Sequence, residues 1–144
     1  MSAELPAEVF LSHSSSDWQF GSELAAVLRR HGIRVWYSQT NILGAQQWQD
    51  EIGAALDRCD WFVVIPSPQS VESMWVRREL SFALGENRFE NKIVPIIYQP
   101  ADYRLLSWTL RLFQMVDFSV SVEDGYVELL RIWGLPYQSI TNSQ

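Results

Sequence analysis

The stretch Ser73-Met74-Trp75-Val76-Arg77-Arg78-Glu79-Leu80 holds one carboxylate in apolar company. On a helix, Glu79 sits one turn after Trp75, and its other neighbours three and four positions away are Val76, Phe82 and Ala83. Side chains pair along a helix at those separations, and none of these four can pair with a negative charge. Two readings follow. Glu79 is solvated or paired with an arginine distant in sequence, or it stands beside the tryptophan in a cleft. Apolar surroundings disfavour its charged form until hydroxyls or a cation satisfy it, and a sugar diol meets that need. A second concentration of reactive types is Ser12-His13-Ser14-Ser15-Ser16-Asp17. His13 suits a catalytic base or a phosphate contact, and equally a loop residue bonded to its neighbours. The serine run could cradle a phosphate at a helix N-terminus, and serine runs also make loops and caps. His31, near a helix end, reads as structural. Trp48 begins an apolar stripe, so core packing competes with stacking on a ligand. Cys59 is the only cysteine and reads as a packed, inert thiol.

Alternating short apolar runs and amphipathic segments position these residues. Strands are expected at 8–12, 33–38, 60–67, 92–98 and 113–119. Helices are expected after Ser16, with Ser16 and Gln19 spaced as a capping box; over the stripe Trp48, Ile52, Ala55 and Leu56; after Ser70 as a cap; and over Val122, Tyr126, Leu129, Leu130 and Trp133. Gly32 and Gly134 read as helix stops. Segment 101–111 reads as loop plus short helix. Strands with continuous apolar runs imply a parallel sheet covered on both faces, here a flavodoxin-like α/β fold of three layers with strand order 2-1-3-4-5. Pro95 conflicts mildly with a central strand, and its nitrogen is expected to face a side that the short fifth strand does not reach. Ligands of such folds bind beyond the carboxyl ends of the strands, where Ser12 to Asp17, Ser38 to Gln47, Pro66 to Ser73 and Gln99 to Tyr103 lie.

Composition excludes several classes. The 144 residues fit one domain, expected over 1–136 with a polar tail at 137–144, and an apolar fraction of 47% supplies a core. A formal charge of −6, with a single lysine, argues against a nucleic-acid binder that works by neutralising phosphates. One cysteine permits no internal disulfide and no cysteine-based zinc site, which suits a reduced, cytoplasmic setting. The N-terminus carries no basic region followed by an apolar run, so neither signal peptide nor membrane span is expected.

Four segments together resemble a bacterial TIR (Toll/interleukin-1 receptor) domain: VFLSHSSSD at 9–17, GIRVWYS with NILGAQQW over 32–48, SVESMWVRREL at 70–80 and KIVPIIY at 92–98. The resemblance spans about residues 7 to 134 and implies the same flavodoxin-like sheet. In family members that cleave NAD between nicotinamide and ribose, a glutamate on the third helix, one turn after a tryptophan, is catalytic. Glu79 and Trp75 occupy those places. The resemblance further implies Ser12, His13, Trp36, Trp48, Ser73 and Trp75 as substrate-binding residues. It also implies Ile42, Leu43 and Gly44 as a loop for assembly with other TIR domains. NAD is then substrate rather than cofactor, and no metal is called for. The product is linear ADP-ribose or a cyclic isomer, the setting is anti-phage signalling, and a separate sensor or effector protein is a further expected partner. Many relatives carry an aspartate just after the second strand where Ser38 stands, which bears on partner geometry and substrate fit. The competing reading is a TIR module that scaffolds without catalysis. A phosphorylation receiver on the same sheet needs clustered acids after strand one and an aspartate ending strand three; Ser12-His13 and Pro66-Ser67 stand there instead. A flavin carrier, the remaining class on this sheet, would be yellow on purification.

Overall fold

In the computed structural model, which describes residues 5–37 and 45–140 (45–48 by backbone alone), strands and helices alternate. The strands are β1 (Val9–Ser12), β2 (Val35–Tyr37), β3 (Trp61–Val64), β4 (Ile93–Ile97) and β5 (Val116–Asp117). The helices are α1 (Trp18–Arg30), α2 (Ala45–Arg58), α3 (Met74–Leu84) and α4 (Val122–Ile132). All strand pairings are parallel, in the order β2-β1-β3-β4-β5. This is the flavodoxin-like fold expected from the apolar runs.

Strand alternation divides the core in two. Val9 and Leu11 of β1 face α1 and α4, where Leu24, Leu28, Leu129, Leu130 and Trp133 are buried. Phe10 faces the other way, with Ile52, Ala55 and Leu56 of α2 and Val76, Leu80 and Ala83 of α3. Phe10 and Phe62 are fully buried and stacked with ring centroids 5.4 Å apart. Each contributes about 1.5–3 kcal/mol by leaving water. Ser12 follows Phe10 by two residues and therefore shares the α2/α3 face.

Pro95 fits its strand without a lost bond to β3. Phe62 N donates to Lys92 O, so residues 92, 94 and 96 turn their polar groups to β3; Phe118 N donates to Ile97 O, so residues 95 and 97 turn theirs to β5. Pairing with β5 begins at Ile96 and Val116, so the proline nitrogen points past the start of that short strand.

Two helix starts differ from the sequence expectation. Ser15–Asp17 forms a 3-10 turn, so α1 is entered from Asp17 rather than capped by Ser16, and Asp17 makes no side-chain cap bond. Ser70–Glu72 likewise forms a 3-10 turn, and α3 is capped by Ser73, whose Oγ accepts from Val76 N at 3.3 Å. In both places a 3-10 turn consumes the first residues of the helical pattern. Segment 101–111 resolves into 3-10 turns at Tyr103–Leu105 and Trp108–Leu112. At the C-terminal end, Tyr137 packs on the α1/α4 core and Gln138 N donates to Nε2 of His31 at 2.9 Å. His31 also donates from Nδ1 to Val27 O at 2.8 Å, so its role is structural, as its position suggested.

Candidate active site

α3 runs from the carboxyl edge of the sheet with Val76, Leu80 and Ala83 on its buried stripe. Glu79 falls within that stripe and is only 5% exposed. Its partner comes from β1: Ser12 Oγ donates to Glu79 Oε1 at 2.7 Å, across 67 residues of sequence. Ser12 is itself buried. Burial pushes the Glu79 carboxyl up to about 7, and the Ser12 hydrogen bond, which favours the charged form, opposes that rise. A carboxyl at this value exchanges its proton near neutral pH, where acid–base and electrostatic roles at a sugar are both open to it.

Two tryptophans belong to the same face. Trp36 of β2 is half-buried and stacks on Phe10 with centroids 4.9 Å apart. Trp75, one turn before Glu79, is half-buried against the same core, and the Arg78 guanidinium lies 5.5 Å over its ring. Ser73 stands at the entry to this helix, its hydroxyl engaged in the cap. Ser12, Trp36, Ser73, Trp75 and Glu79 are thus gathered on the α2/α3 face near the carboxyl ends of β1 and β2. The Trp48 side chain and Ile42, Leu43 and Gly44 lie outside the described residues.

His13 is not with them. Alternation turns it to the α1 face, where it packs under Gly21: a Cβ there would stand 3.1 Å from both Cδ2 and Nε2 of the imidazole. Nδ1 donates to Ser14 O at 2.7 Å. Burial lowers the His13 pKa, against the raising influence of the Ser14 carbonyl and the Asp17 charge. The ring is held as a neutral wedge between β1 and α1, which fits the loop-residue reading given above. Cys59 is fully buried, and burial pushes its thiol up to about 12, so it is inert at neutral pH.

One serine of the run, Ser14, is spent on an acid. Ser14 Oγ donates to Asp17 Oδ2 at 2.8 Å, Ser67 Oγ donates to the same oxygen at 2.5 Å, and the Tyr98 hydroxyl donates to Oδ1. Asp17 is 3% exposed. Sequence reasoning placed Ser14, Asp17 and Ser67 at one edge of the sheet and Tyr98 at the end of a strand, and did not join them. The available signal was the strand order: β1, β3 and β4 are adjacent, so Ser14, Ser67 and Tyr98, each just past the end of one of them, must converge.

With this geometry in place, the comparisons with known proteins are specific. The family model of the TIR domain matches residues 9–130. The chain is 26% identical over 128 residues to 2′ cyclic ADP-D-ribose synthase BtTIR of Bacteroides thetaiotaomicron, an alignment covering 86% of this chain and 45% of that protein. It is 26% identical over 95 residues to NAD(+) hydrolase TcpA of Theionarchaea archaeon (strain DG-70-1), covering 65% of this chain and 29% of that protein. The chain therefore spans less than half the length of these curated relatives. The crystal structure of the TIR domain of the Toll-related receptor TRR-2 from Hydra magnipapillata shares the fold, with a TM-score of 0.69 at 18% identity over 85% of this chain and 94% of that one.

Proposed function

This chain belongs to the TIR-domain family, and from that premise we propose that it cleaves NAD at the bond between nicotinamide and ribose. The observation that carries the reading is the buried Glu79 carboxyl, one turn after Trp75 and hydrogen-bonded to Ser12 on a face otherwise apolar. Breaking this bond requires little else. The C1–N electron pair departs with the nicotinamide ring nitrogen and discharges the pyridinium, so no general acid is needed. Positive charge develops on the ribose, as in other glycosyl transfers. Glu79, ionised and fixed by Ser12, stabilises that charge and accepts from the ribose hydroxyls. Ser12 engages one carboxylate oxygen and leaves the other for substrate. Trp75, with Trp36 on the same face, walls the nicotinamide–ribose end and limits water. Capture of C1 by water, whose proton passes to solvent, gives ADP-ribose. Capture by a hydroxyl or by the adenine of the same molecule gives a cyclic isomer. The names of the two relatives, one a synthase of a cyclic product and one a hydrolase, support the class of reaction and leave both captures open. Assembly with further copies through the segment carrying Ile42, Leu43 and Gly44 completes the site, and the product serves as a messenger in bacterial anti-phage signalling in the cytoplasm, passed to a separate effector. No helix among the described residues is long and apolar enough to cross a membrane.

The test is incubation with NAD and chromatographic separation of the nucleotide products, in wild type and in Glu79→Gln. The variant keeps the size of the side chain and removes its charge. The expected loss is about a hundredfold or more in turnover, with the circular dichroism spectrum unchanged. Wild-type turnover by a folded Glu79→Gln protein would remove Glu79 from the chemistry.

A further inference from the structure

We propose that Asp17 is a positioning residue, an acceptor that ties the carboxyl ends of β1, β3 and β4 together and thereby holds the start of α3 so that Glu79 meets Ser12. The inference rests on the site proposed above and concerns residues that do not touch it.

The bonds form a continuous chain. Asp17 accepts from Ser14 after β1, from Ser67 after β3 and from Tyr98 after β4. Three hydroxyl donors facing two oxygens require a group that only accepts, which among side chains is an ionised carboxylate. Among the described residues no arginine or lysine forms an ion pair with Asp17. These three hydroxyls offset its burial, so loss of any one leaves part of a buried charge unsatisfied. From Ser67 the chain continues into α3. Ser70 N donates to Ser67 Oγ at 3.0 Å, and Ser67 N donates to Ser70 Oγ at 2.7 Å, a reciprocal pair closing the turn after β3. Ser73 N then donates to Ser70 O at 3.0 Å, and Ser73 caps α3. Trp75 and Glu79 are the second and sixth residues of that helix. Ser12, the partner of Glu79, lies two residues before Ser14. Asp17 is thus bonded to both sides of the Ser12–Glu79 pair, through Ser14 on one side and through Ser67 and Ser70 on the other. A fully satisfied buried network of this kind fixes one arrangement of the elements it joins.

The readout is the Glu79 carboxyl itself, followed by carbon-13 NMR of labelled glutamate and assigned by its absence in Glu79→Gln. It needs no substrate. Among the described residues the hydrogen-bond partner of Glu79 is Ser12, and the charged residues Asp50, Glu51, Asp57 and Arg58 of α2 are exposed. Arg77 and Arg78 on the helix, Glu72 in the turn before it and Arg88 in the turn after it are exposed. His13 of β1 packs under Gly21 on the other face. Burial pushes the wild-type Glu79 carboxyl up to about 7, where its midpoint is expected. Ser12→Ala removes a donor to the charged form, so its midpoint moves upward. Asp17→Asn, whose amide nitrogen cannot accept, and Ser67→Ala, which cuts the link to Ser70, are each expected to move the midpoint upward as well. Adding Ser67→Ala to Ser12→Ala is expected to move it no further, because the contact is already gone. In NAD turnover, kcat falls about tenfold with KM within about twofold, as for misplacement of a group that acts in the transition state. If Asp17→Asn does not fold, Ser67→Ala decides. A Glu79 midpoint at the wild-type value in the folded variants would overturn the inference. If wild type leaves NAD intact, the proposed function fails while the titration still tests the brace.

Discussion

At Glu79 burial and hydrogen bonding act in opposite directions, and burial wins. The carboxyl rises from 4.5 to about 7 despite the Ser12 donor. Between those values the folded chain holds a proton that the unfolded chain has already released. Stability therefore falls as pH rises through that window and levels off above it, by about 3 kcal/mol at most. Glu79→Gln removes this dependence. Urea denaturation at pH 8 is expected to show the variant more stable than wild type, with the two converging near pH 4. A constant difference across that range would mean that Glu79 is not the group responsible. If Glu79 acts at the ribose in its ionised form, as proposed, activity follows the opposite sign: turnover of wild type is expected to rise through about pH 7. Trp75 belongs to the same scale. Its ring is half-buried one turn before Glu79, and under the proposed function Trp75→Ala would open the nicotinamide–ribose end to water. The expected result is turnover reduced by about tenfold and a product ratio moved from cyclic toward linear. An unchanged rate and ratio would place the tryptophan outside the site.

At the scale of elements, α4 seats against the segment after β5 through a glycine. A Cβ at Gly125 would come within 2.5 Å of the Phe118 ring root, and Phe118 is buried between Phe20 and Tyr126. The ring root cannot yield without moving the backbone that carries it. Gly125→Ala is therefore expected to lose about 1–3 kcal/mol in urea denaturation despite its better helix propensity. A gain in stability would show that α4 can shift. The same elements show what a sequence makes legible. The parallel sheet was readable because each strand is a continuous apolar run and each helix has one apolar stripe, and five such strands fit the flavodoxin-like order. Gly32, at φ +85°, stops α1 as its place after Arg29, Arg30 and His31 implied. The caps were misplaced because Ser16 and Ser70 have the right type and spacing, and a 3-10 turn differs from an α-helical turn by a single bond shift. The shared face of Glu79 and Trp75 was legible from helical period, and their role at a site was implied by the family resemblance. Ser12 as the partner of Glu79 was not, nor were the three donors to Asp17, because those pairings join residues brought together only by the sheet.

The whole molecule sets the last expectation, which concerns association. The chain carries a formal charge of −6, and its surface exposes Trp18, Trp108 and Leu112 by more than 60% each. Copies of such a molecule repel at long range and adhere where apolar surface meets. Repulsion between exposed charges reaches about 30 Å at 0.01 M salt and about 8 Å at 0.15 M, whereas apolar contact is not screened. If assembly completes the site, specific activity toward NAD rises with protein concentration, and at fixed concentration it rises as salt screens the repulsion. Ile42→Asp adds a charge to the segment proposed for the contact and is expected to suppress turnover at low and high salt alike, with the denaturation midpoint of the monomer unchanged. Sedimentation run beside the NAD assay checks that activity and association move together. Constant specific activity from a strictly monomeric protein, indifferent to salt and to Ile42→Asp, would overturn assembly as the activating step and leave the chemistry at Glu79 to be judged by its own substitution.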